Sequence, residues 1–154
     1  MNMSEKSILT WSGYNNSGIA AVAIGMTLNH SHCLSLSKAL LIMPFVMHTP
    51  TIKYLANGNT RSREISSLSA VRPDFVHNFN QRYHASLTHT INGLQILHEL
   101  GLISYDGNIS QTKIFEASPA LGKRSELISN ASKEISHLLK SSEEELYLNL
   151  RVQL

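Results

Sequence analysis

The segment from Ser86 to Lys113 constrains this chain more than any other. Leu87, Ile91, Leu94, Leu97 and Leu100 recur at helical spacing. Gly101 follows at the place where a left-handed residue stops a helix. Leu102, Ile103 and Tyr105 read as a short strand. Asp106-Gly107 is a two-residue hairpin turn, because both residues tolerate positive φ. Asn108 to Lys113 is then the returning strand. Helix, glycine stop, strand, turn and strand form the wing end of a winged helix, and the winged segment is predicted over about 84–113.

The flanking sequence predicts helices. Residues 1–14 read as an irregular or strand-like lead-in. Asn16 or Ser17 caps a helix through about Leu28, with Ile19, Val22, Ala23 and Met26 on one face. His30 to Leu34 reads as a loop. Ser35 caps a helix over Leu36–His48 that is apolar nearly all round, as a buried central helix is. Pro44 bends or breaks it. Thr49-Pro50 opens a short helix ending near Asn57-Gly58, and Arg63 to Ala70 gives another. Pro73 starts a helix whose Phe75, Val76, Phe79 and Tyr83 share a face. After Pro119, Leu127, Ile128, Ala131, Ile135, Leu138 and Leu139 form a stripe. Ser142 with Glu145 is a capping box for a last helix to about Leu150. The chain has 154 residues and no internal repeat. The expectation is one mainly α domain over 1–154, with a helical core over about 16–83, the winged segment, and C-terminal helices over about 120–150.

Chemical motifs are sparse. His30, His32 and Cys33 are close enough to share an ion, and His84 with His89 is nearly facial on a helix. Zinc needs three or four ligands at matching spacing, and no further pair supplies them. Leu121-Gly122-Lys123 is no phosphate loop, since Ala117 stands where the first glycine belongs and Arg124 where Ser or Thr belongs. There is no Gly-x-Ser-x-Gly elbow. Asp74 and Asp106 are the two aspartates, too few for carboxylate-based metal catalysis. Neither a catalytic residue nor a cofactor is expected. Cys33 is a single cysteine, so no intramolecular disulfide forms, which fits a reducing compartment. Met1 to Thr10 lacks the pattern of a signal peptide. The apolar run Ala39 to Met47 is far shorter than a membrane span. The expected setting is the cytoplasm.

Charged residues make up 16% of the chain, against about 25% in a typical domain. Either a partner covers a neutral surface, or serines and asparagines fill it. The candidate partner surface is the hairpin, with Tyr105, Asn108, Ile109 and Gln111, because an edge strand offers free backbone groups. Leu146 and Leu150 share a helical face and are expected to dock on the chain's own core. DNA binding by a winged-helix regulator is the alternative. Thr88, His89, Asn92, Gln95 and His98 could read bases, and Arg61, Arg63, Lys113, Lys123 and Arg124 could hold phosphates. The base-reading helix carries no Arg or Lys, however, and phosphate contacts supply most of the affinity. A net charge of +2 adds little. Protein contact is the favoured use.

The order of segments resembles the middle components of three-component ABC systems, which include the small subunit of Lamassu-type defence complexes. The resemblance rests on Tyr14-Asn15-Asn16-Ser17-Gly18 and on the apolar run Leu40 to His48 ending Pro-Phe-Val-Met-His. It continues through Thr60-Arg61, Gly93 to Asn108 and Ala131 to Val152. Two positions depart from it. Ser17 stands where Pro often follows the Asn pair, and Leu150-Arg151-Val152 lacks the usual Gly. The resemblance implies a non-catalytic adaptor between an SMC-like ABC ATPase and an effector, a nuclease, in defence against phage or plasmid DNA.

Overall fold

The computed structural model describes residues 16–57, 64–116 and 122–154. The chain is mainly helical with one small antiparallel sheet. Helix α1 (Asn16–Ser31) is the centre, with Ile19, Ala20, Ala23, Ile24 and Leu28 all buried. Two long helices, α7 (Phe79–Glu99) and α8 (Gly122–Leu138), pack on it. Short helices close the remaining sides: α2 (Leu36–Ala39), α3 (Ile42–Val46), α4 (Thr49–Ala56), α5 (Ile65–Val71), α6 (Pro73–Val76) and α9 (Glu143–Asn149).

The apolar stretch over Leu36–His48 is two helices rather than one bent helix. The chain breaks at Leu40-Leu41, and Leu41 N–H turns back to the Lys38 carbonyl at 3.0 Å. Pro44 explains this, because it has no N–H to give the Leu40 carbonyl in a continuous helix. Every residue from Leu41 to Val46 is buried, as expected of a central segment.

The two helices expected around Tyr83 are one. α7 runs unbroken for 21 residues, and the junction lies earlier, at Asn78, whose φ of 62° lets α6 turn into α7. The leucine stripe is its buried face only in part: Leu97 is buried and Leu87 and Leu94 are half-buried. Phe79, Tyr83, Ser86, Thr90, Gly93 and Leu97 face inward, while Ile91 and Leu100 are 50% and 56% exposed. The cause is the close crossing of α7 and α1. A Cβ on Gly93 would stand 2.8 Å from the Ala21 backbone nitrogen and 2.9 Å from the Ala20 Cβ. Only small side chains fit there, so the large apolar ones are displaced to the flanks.

The stretch read as a loop contains strand β1 (Cys33–Ser35). With β2 (Ile103–Tyr105) and β3 (Asn108–Gln111) it forms a sheet in the order β1-β3-β2. Leu34 pairs with Ile109, and Ile109 pairs with Tyr105. β3 is therefore central. Beyond it, Phe115 is tied to α1. Asn29 Oδ1 accepts the Phe115 N–H at 2.9 Å and Asn29 Nδ2 donates to the Phe115 carbonyl at 2.9 Å.

The C-terminal helices follow expectation. Ser142 caps α9 by accepting the Glu145 N–H at 3.1 Å, and Leu146 and Leu150 are buried against the chain's own core. Two helices end in the same motif. At Gly101 (φ 72°), the N–H bonds to the His98 carbonyl and Leu102 N–H to Leu97. At Arg151 (φ 57°), the N–H bonds to the Leu148 carbonyl and Val152 N–H to Tyr147. Arg151 thus holds a left-handed position that suits glycine. Arg151→Gly is expected to raise stability by about 1 kcal/mol, read as a higher urea midpoint. An unchanged or lower midpoint would show that the arginine side chain offsets the strain.

Candidate interaction surfaces

The helix–hairpin segment carries several exposed apolar side chains. Among the described residues, seven large apolar side chains are exposed, and four of them, Ile91, Leu100, Tyr105 and Ile114, fall between residues 91 and 114. Tyr105 is 58% exposed and sits on β2, an outer strand of the sheet. Asn108 is exposed beside the turn, where its N–H bonds to Asp106 Oδ1 at 3.3 Å.

Two residues expected on this surface lie elsewhere. Ile109 is 1% exposed, because β1 covers the far side of β3 and turns a two-stranded hairpin into a three-stranded sheet. Ile109→Asp would therefore disrupt the fold, not a partner contact. Gln111 is half-buried and spent within the chain. Its Nε2 donates to Asn29 Oδ1 at 2.6 Å and its Oε1 lies 3.1 Å from His32 Nδ1. Leu100, which looked like core, is exposed at the end of α7. The burial that moved it depends on Gly93, and nothing in the leucine spacing carries that information.

The candidate phosphate contacts are scattered. Lys113 is exposed after β3, and Lys123 and Arg124 are exposed at the start of α8. Arg61 and Arg63 lie outside the described residues. On the polar face of α7, Thr88, Asn92, Gln95 and His98 are exposed and His89 is half-buried. Gln95 Nε2 donates to Glu99 Oε1 at 3.3 Å.

The histidines are used singly. Among the described residues, no group of three His, Cys, Asp or Glu side chains is placed to hold a metal ion. His84 Nε2 lies 2.6 Å from the Gln153 carbonyl and, with Asn80, anchors the C-terminal tail on α7. His48 Nδ1 lies 2.6 Å from the hydroxyl of buried Thr51. Burial first, and then the Arg82 charge, hold His48 below the ordinary histidine range, while Asp74 pulls the other way. His30 is held down by burial, then by Lys133 and His32. Both histidines thus bind a proton less readily when folded. Their contribution to stability is complete above about pH 6.5 and is lost as pH falls through that value toward the folded-state pKa. The melting temperature is expected to be level from pH 8 to 7 and to fall between pH 6.5 and 5.5. His48→Gln should flatten part of that fall. A melting temperature that rises on acidification contradicts this.

A second feature had no place in the sequence reading. Below the β1 edge of the sheet lies a cleft of about 290 Å³, lined by residues of α1, β1, α2, the end of α8 and the start of α9. His30, Lys38 and Lys140 line it. Ser136, Leu139 and Lys140, spaced i, i+3 and i+4, line it from the end of α8, a signal that could have located it.

Among the described residues, no single helix is long and apolar enough to cross a membrane. The helices α2 to α4 have enough apolar length only as a pair bent by 101°, and their apolar side chains lie in the core. The molecule is a mainly helical protein with one small sheet and exposed apolar side chains along its helix–hairpin segment. It belongs to the ABC-three component system Middle Component 3 family, whose family model matches residues 19–154. It is therefore a middle component of a system of several parts. No curated protein and no solved structure matches the chain.

Proposed function

We propose that the chain is a non-catalytic adaptor, acting in the cytoplasm, that links an SMC-like ABC ATPase to a nuclease effector in defence against phage or plasmid DNA. The observation that carries the reading is the family match, since a middle component belongs to an ABC system of several parts. The hairpin supports it. Its helix and two strands keep the order of a winged-helix end, and it exposes four large apolar side chains, Ile91, Leu100, Tyr105 and Ile114, against one lysine, Lys113. Such a surface suits protein contact better than phosphate contact.

On this reading Tyr105 and Leu100 are contact residues for a partner component. Both are more than half exposed, so replacing them leaves the core intact. In co-expression with the ATPase and the effector, the tagged wild-type chain is expected to retain both. Tyr105→Asp combined with Leu100→Asp should reduce the recovery of at least one of them more than about tenfold, the loss expected for interface anchors. Its melting temperature should stay within a few degrees of wild type. Normal recovery by the double variant would move the partner surface elsewhere, to the exposed Leu148 and Val71 side.

A further inference from the structure

The β1 edge of the sheet points to a second ligand. The cleft there lies across the sheet from the β2 edge and the proposed protein contact. His30 and Lys140 line it, and Lys133 and His32 are near enough to act on His30 by charge. Lys38 also lines it, but Glu143 sits beside Lys38 and is occupied by Ser37 and Ser35. Lys140 in the lining and Lys133 beside His30 are the further positive charges there.

We propose that this cleft binds the phosphate backbone of a nucleic acid, with Lys133, Lys140 and His30 as its phosphate contacts. Three observations favour phosphate over an acidic peptide. The leucines in the wall, Leu34 and Leu139, are 7% and 1% exposed, so no apolar pocket is open to anchor a peptide side chain. The lining also includes short hydroxyls, which bond phosphate oxygens readily. Ser31 and Ser136 share one hydrogen bond of 2.6 Å, which leaves one hydroxyl proton of the pair for a further acceptor. Finally, two of the chain's seven lysines, Lys38 and Lys140, line this one cleft, and Lys133 is near enough to act on His30 by charge.

Proton linkage makes the site distinctive. His30 is held down first by its own burial, then by Lys133 on α8 and His32 after α1, with Lys38, Lys140 and Glu143 around the cleft. A bound phosphate offsets the cationic push, so binding takes up a proton at His30 and tightens on acidification. This inference stands apart from the adaptor reading, since the cleft and the hairpin use different residues.

The test is fluorescence anisotropy of a labelled 20-nucleotide DNA, single-stranded and duplex, titrated with the full chain at low salt. Wild type is expected to bind at least one form, more tightly at pH 6 than at pH 7.5. Lys133→Glu with Lys140→Glu should weaken binding at least about tenfold and lower the salt slope by roughly two. Lys53→Glu with Arg151→Glu changes net charge equally at residues outside the cleft lining and should weaken it less than about threefold. His30→Gln should remove the pH dependence. Circular dichroism verifies that each variant is folded, and Lys133→Gln with Lys140→Gln serves if the reversal is not. The proposal is overturned if wild type binds neither form, or if both charge-reversal pairs lose affinity equally. It also fails if ATP at matched phosphate concentration displaces the DNA completely, or if a polyglutamate of equal charge binds as tightly. The last result would assign the cleft to an acidic protein segment.

Discussion

Gly93→Ala is expected to destabilise the chain by about 1–3 kcal/mol, although alanine is the better helix former by about 1 kcal/mol. The two effects oppose each other, and the geometry decides between them. The new Cβ would meet the Ala21 backbone nitrogen at 2.8 Å and the Ala20 Cβ at 2.9 Å. A backbone atom cannot rotate away as the end of a side chain can, so α7 must lift off α1. Those helices form the largest contact in the molecule, and lifting them opens the packing around Ile24 and Leu97. Gly93→Val adds a branched side chain at the same point and should cost roughly 4 kcal/mol or more, enough to unfold much of a marginal domain. Urea denaturation checks both variants. A Gly93→Ala protein more stable than wild type would mean that propensity governs and that the helices are not in close contact there.

Arg82→Met is expected to lose about 2–4 kcal/mol through the loss of three hydrogen bonds from a charged group that is half-buried. The guanidinium of Arg82 reaches three carbonyls. Nε donates to Pro44 at 3.1 Å, Nη1 to His77 at 3.1 Å, and Nη2 to Phe75 at 2.9 Å, with the Phe79 ring 5.4 Å below. One side chain on α7 thereby fastens α3, α6 and the left-handed link at Asn78. Burial lowers its pKa, yet its partners here are carbonyls rather than a carboxylate. Lysine carries the same charge but a single nitrogen, which cannot hold three carbonyls in a plane. Arg82→Lys should therefore recover less than half of the loss. Because Arg82 also lowers the His48 pKa, Arg82→Met should raise it, visible in the histidine proton shifts. Equal stability of Arg82→Lys and wild type would reduce the clamp to a plain charge effect.

What could be read from sequence was local. Gly101, the Asp106-Gly107 turn and the Ser142 cap act within five residues of themselves, and all three stand where the residue types put them. The docking of Leu146 and Leu150 followed from helical spacing. What could not be read depends on distant chain. Strand β1 has three residues and exists through pairing with β3, some 77 positions away in the Cys33–Ser110 pair. That one strand also buries Ile109 and removes it from the candidate surface. Ser86, Thr90 and Gly93 do not look like core residues, yet closeness to Ala20 and Ala21 makes them so. Arg82 reads as an ordinary surface cation until its three carbonyls come together from two other elements. The expected departure at Leu150-Arg151-Val152 is met by backbone strain, since Arg151 itself adopts the left-handed turn.

The central claim is that this chain joins two other components, and the direct measurement is whether they associate without it. The ATPase and effector that the adaptor account proposes as partners would be purified separately and mixed with and without the chain, and the masses of the assemblies measured by native mass spectrometry. The adaptor account expects a three-component assembly when the chain is present. It expects separate ATPase and effector in its absence, and again with the Tyr105→Asp, Leu100→Asp variant. An ATPase–effector complex of equal yield in the absence of the chain would contradict the account.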